Sequence, residues 1–182
     1  MARHRERIVY VVAWLIALAG TLRYLGYILG HPSRWLILAL LATFFVVLAT
    51  GPWIFRRPQK YMHIYLAVLT CILVALTMVT TIEDFAAIPF MSLILLAMTH
   101  LPTRTGFRWI AIFCVILILC MIAHGLMYHG MNAGMILLTA FLYLVIFLFF
   151  GAFMTIFRKL ETARTEAEVA REESEELLAE LQ

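Results

Sequence analysis

Acidic side chains are nearly absent from most of this chain. Through residue 160 it has only Glu6, Glu83 and Asp84, while the other eight of its 11 acids (Glu161, Glu166, Glu168, Glu172, Glu173, Glu175, Glu176 and Glu180) crowd the last 22 residues. A water-exposed surface of mixed charge cannot be built from the first part. Cysteine is also sparse. Cys71, Cys114 and Cys120 all sit within apolar runs, with no CxxC and no Cys/His spacing, which excludes a disulfide framework, a zinc module and haem attachment. No Asp, Glu, Lys or Arg falls near the middle of any long apolar run, and no internal repeat is visible. Ion-coupled transporters depend on such features, so that class is disfavoured. A small-molecule enzyme within a bilayer would need a clustered acid–base or metal constellation.

What is present is apolar. Hydrophobic residues make up 64% of the chain and the mean hydropathy is +0.96, against roughly 45–50% apolar in soluble proteins. A hydrocarbon core about 30 Å thick takes about 20 helical residues. Six stretches approach or reach that length: 8–28, 35–55, 61–82, 85–101, 109–128 and 133–157. Their connectors carry turn signals at Gly30-His31-Pro32-Ser33, Arg57-Pro58, Pro102-Thr103, and Gly130 with Asn132. The expected fold class is all-α, a polytopic bundle of six transmembrane helices in which sequential helices are antiparallel neighbours. Residues 1–157 form the bundle and 158–182 a charged helix beyond it.

Positive charge sets the orientation. Arg3, Arg5 and Arg7 precede the first span, Arg56, Arg57 and Lys60 fill the second connector, Arg104 and Arg108 the fourth, and Arg158 and Lys159 follow the sixth. Lys/Arg excess marks the cytoplasmic side, so both termini are expected inside a bacterial cytoplasmic membrane. Basic residues beside apolar spans imply lipid headgroups as partners and no nucleic acid. The N-terminus also resembles a signal peptide, with Ala17-Leu18-Ala19 as a cleavage-like site. The apolar run continues through Leu22, Leu25 and Leu29, which favours a retained span.

At the external ends of the spans lie Arg23, His31, Arg34, Glu83, Asp84, His124 and His129. Histidine and carboxylate suit divalent ions, and histidine titrates near neutrality, so a metal or pH-responsive site is one reading. Interfacial snorkelling with pairs such as Arg23–Glu83 or Arg34–Asp84 is the other. His63 and His100 fall at the opposite ends from His124, so no haem or other cofactor is expected. In the first span, Ala13-xxx-Ala17 and Gly26-xxx-Gly30 would allow close helix approach.

Beyond the sixth span no Gly or Pro stops the helix. Leu160, Ala163, Ala167, Ala170, Ser174, Leu177 and Leu181 recur at alternating spacings of three and four, a two-position heptad seam. The register extends back through Ile156, Phe153, Phe149 and Ile146. Alanines and a serine make the seam weak, consistent with a marginal parallel dimer stalk; a solvated single helix is the alternative. The stretch Phe157-Arg-Lys-Leu-Glu-Thr-Ala-Arg-Thr-Glu-Ala-Glu, with Glu-Glu-Leu-Leu-Ala-Glu-Leu-Gln182 after it, resembles the helix joining a multi-span sensor to the phosphoacceptor domain of a bacterial sensor histidine kinase. The whole arrangement resembles the DesK-like kinases. That resemblance implies a homodimer through the sixth span and stalk, with a response regulator reached through downstream domains. Membrane-bound diguanylate cyclases use similar linkers. The tail has no histidine and no nucleotide-binding motif, so catalytic residues are expected only outside this chain, which would then be a sensor fragment.

Overall fold

The computed structural model describes residues 2–80, 87–128 and 133–180. Among these the chain is helical, with no strand: α1 (Ala2–Arg23), α2 (Leu25–Gly30), α3 (Arg34–Ala49), α4 (Gly51–Ile54), α5 (Gln59–Val79), α6 (Ala87–His100), α7 (Thr103–Tyr128) and α8 (Ala133–Glu180). Four helical stretches are long and apolar enough to cross a membrane: Arg34–Ile54, Gln59–Val79, Thr103–Ala123 and Leu137–Glu175. Ile8–Arg23 and Ile88–His100 are apolar but shorter. The outward faces carry large apolar side chains such as Trp35, Val46, Leu137 and Phe149, a surface suited to lipid and not to water.

The expected boundaries shift at three places. The first apolar run breaks at Tyr24, where the backbone tightens to a Tyr24 N–H···O=C Thr21 bond of 3.2 Å. Thr21 also donates its hydroxyl back to the Ala17 carbonyl, a bond that bends helices. The second run breaks at Thr50, ahead of Gly51 and Pro52. The fifth expected span, α7, begins at Thr103, directly after Pro102 and six residues earlier than the apolar pattern suggests.

Helix α6 is the hub. Residues 92 to 98 are all buried, and at 100° per residue seven consecutive positions cover every direction around the axis. Helices α1, α5, α7 and α8 surround it, and the most extensive contact is with α1. Sequential pairing therefore describes the bundle incompletely, because α1 packs mainly on α6. Small residues permit that approach. Ala13 and Ala17 are fully buried, and a Cβ on Gly20 would lie 2.9 Å from Ile88 Cγ2. Gly26 and Gly30 face open space, so the close-approach surface of the first apolar run is Ala13, Ala17 and Gly20, one helix earlier than Gly26-xxx-Gly30.

The buried threonine and serine hydroxyls bond to carbonyls three or four residues earlier in the chain. Thr70, Thr77 and Thr80 donate to the carbonyls of Leu66, Leu73 and Leu76 at 2.6–2.9 Å. Ser92 donates to the Pro89 carbonyl. Such local bonds let polar side chains lie in an apolar core without distant partners.

Gly20→Val should force α1 away from Ile88 and cost about 1–3 kcal/mol, as overpacking typically does. Gly26→Val should stay within about 0.5 kcal/mol. Thermal unfolding in one detergent compares the two, and equal effects would remove the Gly20 contact from the account.

Candidate functional site

Helix ends in an apolar bundle leave carbonyls that must find donors. Two of these ends converge where the arginine-bearing connectors lie. Pro52 has no N–H to offer the carbonyl of Leu48, four residues before it. Two tyrosines replace it: Tyr10 Oη donates to Leu48 O at 2.8 Å and Tyr65 Oη donates to the same atom at 3.0 Å. This one oxygen thus ties α1 and α5 to the end of α3. Gly51 makes the space, since a Cβ there would lie 2.9 Å from both Tyr10 and Phe55 and 3.0 Å from Tyr65 Oη.

Phe55 extends the cluster. Its ring lies edge-on to Tyr10 (centroids 5.9 Å apart) and Tyr65 (6.2 Å), and it stacks on His100 at 3.7 Å with planes 15° apart. His100 is the last residue of α6. Beyond it Pro102 prevents the helix from continuing, and the terminal carbonyls need donors. Arg158 of α8 supplies them: Nη1 donates to Leu101 O at 3.0 Å and Nη2 to Thr99 O at 2.6 Å. A guanidinium at a helix C-terminus complements its partial negative charge, and its planar fork reaches two carbonyls at once. Arg158 is also where α8 leaves its apolar stretch, so the hub helix is clamped to the start of the charged stalk. A cavity of about 390 Å³ opens beside this clamp, lined by Phe55, Arg57, Gln59, Met62, His100 and Arg158, among others.

Helix α8 itself runs unbroken from Ala133 to Glu180. Gly151 lets it approach α7, because a Cβ there would lie 2.6 Å from Ile110 Cδ1. On its outward side Phe149, Phe153, Ile156 and Leu160 are exposed, and Ala163, Ala167, Ala170 and Ser174 continue the same face. Exposed pairs Arg164–Glu168 (3.0 Å) and Arg171–Glu175 (2.8 Å) support the stalk along its flanks at roughly 0.3 kcal/mol each. The side chain of Leu177 and all of Leu181 lie outside the described residues.

The group expected at the external ends of the spans divides. His31 accepts the Ser33 N–H on Nδ1 at 3.1 Å and sits beside Tyr27, a local turn contact. Arg23 lies over the Tyr24 ring at 5.4 Å and Arg34 over Trp35 at 5.6 Å, as snorkelling arginines do beside interfacial aromatics. Glu83, Asp84 and His129 lie outside the described residues, as does the side chain of His124, whose backbone belongs to α7. Among the described residues no three His, Cys, Asp or Glu side chains gather closely enough to hold a metal. His63 accepts the Trp109 Nε1–H at 2.9 Å, joining α5 to α7. Comparison with protein-family models, with curated proteins and with solved structures gives no match.

Sequence reasoning counted Arg158 only as a topology signal. The cue for its second role was Pro102, which ends a buried helix and exposes carbonyls to the next cation nearby. Arg158→Met should lower stability by about 2 kcal/mol, from the loss of two charge-assisted bonds. Arg158→Lys should recover only part, since an ammonium is a single point donor. Thermal unfolding together with amide exchange at the start of α7 reads the effect, and wild-type values in Arg158→Met would discount the clamp.

Proposed function

We propose that this chain is the membrane input module of a bacterial sensor histidine kinase of DesK-like design. In this reading six spans cross the cytoplasmic membrane, both termini are inside, and α8 carries the signal to output domains that meet a response regulator. The observation that carries the reading is α8, one 48-residue helix from the apolar bundle into the charged stalk. A helix without a break transmits rotation or translation, whereas a flexible linker would dissipate it.

Several features support the span count and the dimer. Helix α6 has 14 residues and extends about 21 Å at 1.5 Å per residue, short for a hydrocarbon core. It is enclosed by other helices, and Arg158 reaches its C-terminus, so it does not need to meet the interface itself. The stripe from Phe149 through Leu160 to Ser174 keeps coiled-coil spacing and is exposed along its length. A second copy packed on that stripe would bury it. Its alanines make the packing weak, so two arrangements within a few kcal/mol of each other serve as off and on states. The external residues Glu83, Asp84, His124, His129 and His31, with Arg23 and Arg34, are where a metal or pH input would act; bilayer state is the alternative stimulus.

The test uses a fusion to kinase output domains, with the three native cysteines replaced and single cysteines introduced along 160–174. Crosslinking should peak at positions 160, 163, 167, 170 and 174. Two Gly residues inserted after Lys159, each costing about 1 kcal/mol of helix, should abolish regulation while the bundle stays folded. Leu at Ala163, Ala167 and Ala170 should lock one output. Crosslinks without periodicity, together with intact regulation after the insertion, would overturn the proposal. A reporter fused after Ser33 should read external and one after Arg57 internal.

A further inference from the structure

We infer that the cavity at the C-terminal end of α6 binds a phosphate ester, with its anionic group between Arg57 and Arg158. The site does not rest on the sensor reading. Its volume of about 390 Å³ falls within the range of small-ligand pockets. Among the described residues that line it there are two arginines, one histidine and one glutamine, and no Asp or Glu. Both formal charges among these described lining residues are positive.

The two arginines have different roles. Arg158 is held by its bonds to Thr99 O and Leu101 O, so its charge is fixed at the cavity wall. That charge also offsets the partial negative end of α6, which would otherwise repel an anion. Arg57 is exposed and adjoins Pro58, so it stands on a short turn whose backbone is closed by the Arg57 N–H···O=C Ile54 bond of 2.9 Å. From there a guanidinium can close over a phosphate with two parallel N–H donors. Gln59 opens α5, and the first-turn N–H groups of that 21-residue helix add positive potential of the same sign. Arg56, Lys60 and Lys159 are sequence neighbours of the lining residues and raise the local anion concentration further.

The rest of the wall is apolar. Ile54, Met62, Leu101 and the stacked Phe55–His100 pair would face the carbon part of an ester. This combination suits an amphiphile entering from the bilayer edge, such as the headgroup of an anionic phospholipid, and it suits a soluble phosphate ester by the same chemistry.

The test is native mass spectrometry of the full chain released from detergent, titrated separately with short-chain phosphatidylglycerol, phosphatidylcholine and glycerol 3-phosphate. Phosphatidylglycerol should be retained at one copy per chain and outlast phosphatidylcholine. Arg57→Gln should weaken retention about tenfold, as loss of one charge-assisted contact does, while Arg57→Lys keeps most of it. Arg57 is exposed, so these variants should unfold at the wild-type temperature. Saturable binding of glycerol 3-phosphate at equal strength, with the same Arg57 dependence, supports the site and assigns it to a soluble ester. Equal retention of the two lipids, or binding unchanged in Arg57→Gln, overturns it.

Discussion

A carbonyl with no water and no helical N–H within reach must find some other donor, and that requirement organises one end of this bundle. Leu48 loses its partner to Pro52 and takes two tyrosine hydroxyls. Thr99 and Leu101 lose theirs where Pro102 ends α6 and take the guanidinium of Arg158. In each case the substitute donor comes from a different helix. Satisfying the backbone therefore also fixes tertiary structure: α1 and α5 are joined to α3, and α8 is joined to α6. An unsatisfied buried carbonyl costs about 1–3 kcal/mol, comparable to a well-packed apolar contact, so these few bonds carry weight beyond their number.

The same requirement accounts for the position of α6. A helix buried on all sides has no polar face and contributes only packing, which is why its neighbours approach through Ala13, Ala17, Gly20 and Gly106. Gly106 allows Met98 to sit where a Cβ would come within 2.6 Å of its sulfur. Close packing of this kind deforms little. Displacement of α6 relative to its neighbours would bear directly on Arg158, and through Arg158 on a helix that continues without interruption into the stalk. The functional proposal depends on this mechanical continuity. The cavity beside the clamp places a possible ligand next to the same two helix ends.

Much of this was legible in the residues. Apolar runs, the turn signals at Gly30, Pro58 and Pro102, and the unbroken tail after Phe157 located the helices and the continuous α8. The heptad-spaced positions from Phe149 to Ser174 are exposed, and so are the other described stalk residues around them, so exposure does not single out that face. Other features were hidden for physical reasons. Hydropathy does not distinguish a helix facing lipid from one enclosed by protein, so nothing marked the run after Pro89 as the hub. Small residues recur in many apolar helices, and Gly26-xxx-Gly30 looked as suitable for close packing as Ala13-xxx-Ala17. The tyrosines and Arg158 resembled interfacial anchors and topology signals, because a single sequence does not show which carbonyl a side chain reaches. The acids and histidines expected on the external side share a membrane level by sequence, yet His31, Arg23 and Arg34 each engage a near neighbour in the chain.

The central claim is that the bundle and stalk are one mechanical unit, joined at Arg158 without a hinge. Amide hydrogen exchange across residues 150–166 in a lipid nanodisc tests it most directly. The account predicts protection that declines smoothly from Gly151 to the exposed stalk, with slow exchange retained through residues 156–162. A fast-exchanging break at 157–160, with protection resuming beyond it, would show a hinge where the account requires a rigid helix.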